Sequence, residues 1–172
     1  MKTAAMIVII VVLLVIASVF FIYLGIYNVS AAEPHTRLMD WVLSTTMDNS
    51  VRRHAERIPA PLLTDPAMVS KGFGYYHISC VPCHGAPGVT PSTFARGLNP
   101  PPPSLAEAVP DWTPSELYWI TKNGIKMSGM PAFSPSYGED ELWALVAFLQ
   151  RLPAISPQEY KSLVDAAGVG SR

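Results

Sequence analysis

Only two cysteines occur in the 172 residues, Cys80 and Cys83, three positions apart. A framework of several disulfides is therefore excluded, and so is a closed zinc site of four cysteines. Charge is scarce as well. Asp, Glu, Lys and Arg make up 15% of the chain, and the formal net charge is −1. From residue 60 to 172, seven Lys/Arg stand against nine Asp/Glu. That balance lacks the basic footprint of a nucleic-acid binder, and no nucleic acid is expected as a partner. No segment alternates apolar and polar residues in the manner of a half-buried strand. After Tyr27 no hydrophobic run reaches membrane-spanning length, and no internal repeat is visible.

What is present begins with apolarity at one end. Ala4 to Tyr27 contains 24 residues without a charge. As a helix this run is about 36 Å long, enough to cross a hydrocarbon core of about 30 Å. A cleavable signal peptide is the competing reading, and small residues at Val29–Ala32 would suit it. Its apolar core is normally about 7–15 residues, however, so a retained single-pass anchor is expected. Lys2 and the terminal amine precede the span, which points the rest of the chain away from the cytoplasm into an oxidising compartment.

The organisation expected is an anchor over 1–29, a connector over 30–66, a globular domain over 67–155 and a tail over 156–172. The connector is balanced in charge. It carries Leu38, Trp41, Val42, Thr45 and Val51 at intervals compatible with a helical stripe. It reads as a solvated helix that holds the domain off the bilayer, with Trp41 at the membrane interface or on a partner. Prolines 59, 61 and 66 then stiffen the passage into the domain.

Within the domain three helices are predicted. The first spans about 65–80, with Thr64 or Asp65 as N-cap and Pro66 near its first position. The second spans 113–123, where Thr113 and Glu116 form a capping box, Pro114 follows the cap and Gly124 closes the helix. The third spans 139–151, with acids in its first turn, Arg151 in its last, and Leu142, Leu145, Val146 and Leu149 as its apolar stripe. "LNPPPPSL" at 98–105 must be extended. The fold class is all-α: a small domain of three to four short helices, preceded by one transmembrane helix. So few helices joined by Pro/Gly loops make a thin core, which a large apolar body in the middle would fill.

"CVPCH" at 80–84 admits four readings: a disulfide, half of a zinc site, buried thiols, or thioether anchors of a haem with His84 on its iron. His35, His54 and His77 form no matching zinc pair. No βαβ pattern supports a thioredoxin-like motif. The disulfide and thiol readings leave His84 without a role. Covalent haem attachment uses all three residues at this spacing.

The sequence resembles the class I c-type cytochromes over about residues 67 to 153. The shared pattern is a helix written G-x-x-x-aromatic-x-x-x-C-x-x-C-H, here Gly72, Tyr76, Cys80, Cys83 and His84. A Met-Pro loop follows, "GMPAF", with Met130 46 residues after His84, and then a closing helix, "ELWALVAFLQRLP". The resemblance implies one haem c attached through Cys80 and Cys83, with His84 and Met130 as iron ligands and Met127 as the lesser candidate. It also implies that Gly72 meets Phe148 where two helices cross, and that a proline carbonyl, assigned to Pro102, holds the His84 ring. Trp112 and Trp119 are expected to pack around the porphyrin. Lys122 and Lys126 read as a solvated face near the Met130 loop, with a small docking patch as the alternative. His77 is expected at the surface or on the propionate side, and His35 and His54 on the connector surface. The function implied is single-electron transfer in the periplasm, at a bacterial inner membrane, between respiratory or dehydrogenase partners. No small-molecule substrate and no enzymatic activity are expected. The alternatives are a haem-bearing subunit of a larger redox complex, a haem enzyme or gas sensor with a labile Met130, and a haem-free thiol–disulfide protein.

Overall fold

The computed structural model describes residues 2–168. They fall into two compact units that divide after Ala31. The first is built on one helix, α1 (Lys2–Tyr23), apolar on every face and with no side chain buried. Its length and composition suit a membrane span.

The second unit is helical throughout, with no strand among the described residues. In order it contains α2 (Arg37–Ala55), α3 (Pro66–Ser79), α4 (Val81–His84), α5 (Leu105–Ala108), α6 (Pro114–Asn123), α7 (Glu139–Arg151) and α8 (Pro157–Ala167). The predicted helix starts are found in place. The Asp65 carboxylate accepts the Ala67 N–H at 2.9 Å, and Pro66 needs no partner there. Thr113 and Glu116 form the reciprocal capping box of α6. At α7 the cap residue is Gly138, which has no side chain to offer. Glu141 instead reaches back to accept the Gly138 N–H at 2.7 Å.

The core centres on the crossing of α3 and α7. Gly72 makes it possible: a Cβ there would lie 1.9 Å from the Ala144 carbonyl oxygen and 2.9 Å from the Phe148 Cβ. Phe148 therefore borders the crossing, as the resemblance implies, while the backbone of Ala144 makes the closest approach. Around it Phe73 stands edge-on to Phe148 with ring centroids 5.5 Å apart, and Leu142, Leu145 and Leu152 are fully enclosed. Burying each such side chain is worth about 1.5–3 kcal/mol.

Two expectations change. Residues 157–167, expected to lie in a tail, form α8, capped by Ser156 and Glu159. Its Tyr160 is completely buried, edge-on to Phe73 and hydrogen-bonded to His77 at 2.9 Å. The connector, in turn, is not a solvated spacer. α2 packs on α6 and buries Val51 and Ala55, because its apolar residues recur at four-residue spacing along one face. Leu38, Trp41 and Val42 occupy another face and stay exposed.

Candidate cofactor site

α3 ends at Ser79, and the chain turns at once into the single turn of α4. The Cys83 and His84 amides both bond to the Cys80 carbonyl, at 3.1 and 2.8 Å. This tight winding brings Cys80, Cys83 and His84 onto the lining of one cavity of ≈ 230 Å³. Gly85, at φ +68°, ends the turn where a Cβ would meet the Val89 carbonyl at 2.7 Å. The buried Tyr76 hydroxyl donates to the Gly85 carbonyl at 2.7 Å and locks the exit of the motif to α3. That contact gives the aromatic of the helix pattern a polar task as well as an apolar one.

Four prolines, 100 to 103, supply another wall of the cavity. His84 Nδ1 lies 2.8 Å from the Pro103 carbonyl oxygen. A carbonyl can only accept, so Nδ1 carries the proton and Nε2 keeps its lone pair when the ring is neutral. The carbonyl is thus that of Pro103, one residue beyond the expected Pro102, which lines the cavity without holding the ring. Burial lowers the His84 pKa, and the Pro103 bond opposes this only in part. The neutral imidazole is favoured.

The third wall comes from α6 and the loop after it. Leu117, Ile120 and Thr121 face the cavity, and so does Met130. The Met130 loop is held by the Ile125 N–H on the Met130 carbonyl at 3.2 Å and the Ser128 hydroxyl on the Ile125 carbonyl at 2.8 Å. Pro131 backs directly onto Gly124, where a Cβ would lie 2.5 Å from its carbonyl carbon. Met127 is 72% exposed and points elsewhere. Of the two methionines in this loop, only Met130 meets the cavity.

Trp112 lines the cavity as expected. Trp119 does not: it stacks on His54 of α2, with ring centroids 5.5 Å apart. Two residues along a helix from Leu117 is about 200° around it, so the indole faces away from the site. Lys122 donates to Glu139 at 3.0 Å and to the Tyr118 hydroxyl, which leaves Lys126 without a companion for the alternative docking patch. His35 and His54 are absent from the cavity lining, and His77 is occupied with Tyr160.

The donor set fits a haem. Two thiols three residues apart, one imidazole lone pair and one thioether share a cavity whose other walls are mostly apolar. It does not fit a bare ion: no group of three or more His, Cys, Asp and Glu suited to one occurs among the described residues. Burial, and then the neighbouring Cys83, push the Cys80 thiol up to about 12, the opposite of an activated nucleophile.

Residues 67–149 match the family described as cytochrome c oxidase, cbb3-type, subunit III. No curated protein matches the chain. The helix crossing at Gly72, the C-x-x-C-H turn and the matched span agree, and residues 67–149 of this chain are a c-type cytochrome domain.

Proposed function

We propose that the protein is a membrane-anchored, monohaem electron carrier. α1 is the anchor and the haem domain works on the periplasmic side of an inner membrane, between respiratory or dehydrogenase partners. One observation carries the reading: Cys80, Cys83, His84 and Met130 line the same cavity, with the His84 ring already oriented by Pro103. Haem c, when bound, supplies reversible one-electron chemistry between ferric and ferrous iron. Cys80 and Cys83 would hold it covalently. His84 would present Nε2 to it, its other nitrogen being tied to Pro103. Met130 would offer its thioether to the iron, a ligand that favours the reduced state. The apolar walls keep water from the site.

Optical spectra of the full-length protein, oxidised and reduced, with and without carbon monoxide, test this. Colour that stays with the polypeptide in acid-acetone, c-type ferrous bands and no response to carbon monoxide are expected. Colourless protein, expressed with the attachment machinery, overturns it. Ready carbon monoxide binding overturns the closed Met130 site.

A second reading is favoured by the matched family, whose description is that of an oxidase subunit, and by the exposed Leu38, Trp41 and Val42 on α2. In it the protein is a fixed subunit, and the same haem relays electrons inside a complex. Stoichiometric partners retained after mild detergent extraction distinguish it from a free carrier.

A further inference from the structure

The cytochrome domain alone does not complete the cavity. The family match begins at residue 67, yet Met47, on α2, is among the cavity's lining residues. Met39, Leu43, Met47 and Val51 follow one another at four-residue spacing and are half-buried or buried. Val51, at 0% exposure, anchors that face. The segment is fastened at both ends. The Asn99 side chain, next to the proline wall, donates to the Glu33 carbonyl at 2.7 Å. The Ser115 hydroxyl, in the first turn of α6, donates to the Ile58 carbonyl at 2.7 Å. Between them His54 lies against Trp119. α6 is joined in turn to the chain just past Met130, through the Phe133 N–H on the Thr121 carbonyl at 3.1 Å and the Ser134 N–H on the Lys122 carbonyl at 3.2 Å.

We infer that residues 33–58 are a built-in cover of the haem cavity, with Met47 the residue of α2 that lines it and keeps water away. The inference rests on the haem reading of that cavity. Its physics is dielectric. Water beside the iron stabilises the more highly charged oxidised form, so an apolar cover favours the reduced one. A methionine fills an irregular gap without bringing a polar atom that holds water. α2 also steadies α6, and through α6 the loop that presents Met130.

Met47→Gln keeps the length of the side chain and adds an amide. In the full-length holoprotein it should lower the midpoint potential. It should also tighten binding of added imidazole to the oxidised form by about tenfold, because Met130 is displaced more readily. Met47→Leu should restore both values. Val51→Asp, which undocks α2, should shift both in the same direction and further. An unchanged potential and imidazole affinity in Met47→Gln overturns the inference. If Val51→Asp yields no holoprotein, the Gln and Leu pair decides alone. A wild-type protein without haem fails the haem reading itself, and one with haem but without the charge-transfer band of methionine-bound ferric iron fails the Met130 assignment. Either failure is visible before any variant is made.

Discussion

Two halves of the helical unit after residue 31 are built on different principles. Around α3, α7 and α8, side chains meet side chains: Gly72 admits the Ala144 carbonyl, and Phe73, Phe148 and Tyr160 fill the rest. Around α4, the proline run and the Met130 loop, side chains and loop residues line a cavity. The first half supplies its own core. The second holds its shape through turns, prolines and loop hydrogen bonds, and reserves the interior for something else.

The comparison is broken most severely at the crossing. Gly72→Val places methyl groups against backbone that has no room to yield. A loss of more than about 4 kcal/mol is expected, read as the shift in urea midpoint of the holoprotein. A midpoint near that of wild type would mean the crossing is looser than its geometry indicates. A gentler probe is Tyr160→Phe, which keeps the ring and removes only the hydroxyl bonded to His77. A loss of about 1 kcal/mol is expected. Because Tyr160 belongs to the packed half, the midpoint potential should not move. A changed potential would show that the two halves are coupled.

The smallest effect lies at the start of α7. The Gly138 N–H, and then the Tyr75 hydroxyl, hold the Glu141 carboxyl below its ordinary 4.5. A depressed carboxylate contributes stability above its unfolded pKa, and that contribution is lost as pH falls through the folded value. Wild type should therefore lose slightly more thermal stability than Glu141→Gln on acidification below 4.5, with the two converging at the most acid end. Because the group is exposed, added salt should shrink the difference. Parallel melting curves across that range would remove Glu141 from the account.

Much of the packed half was legible in the sequence, because its signals are local. The caps at Asp65 and Thr113 and the apolar stripe of α7 each announce a helix within a few residues. α8 announces itself equally plainly: Ser156, Pro157 and Glu159 repeat the pattern at Thr113, Pro114 and Glu116. The cavity half was legible in chemistry but not in register. Four consecutive prolines offer carbonyls of the same kind, and only the three-dimensional turn selects Pro103 over Pro102. Helical phase could have excluded Trp119, since Leu117, Ile120 and Thr121 already occupy the face it would need. The docking of α2 was the hardest to read. Its two apolar faces look like one diffuse stripe until α6 lies against one of them.

The proline run at 100–103 has a further consequence, for the order of assembly. Each of these residues has its φ fixed before the chain folds, and the extended conformation is already the one it prefers. This wall therefore has little freedom left to surrender when the domain closes. It arrives at the nascent site as a stiff rod of nearly finished shape, with the Pro103 carbonyl at one end. A folding chain would need only to swing His84 toward that rod, rather than order both partners at once.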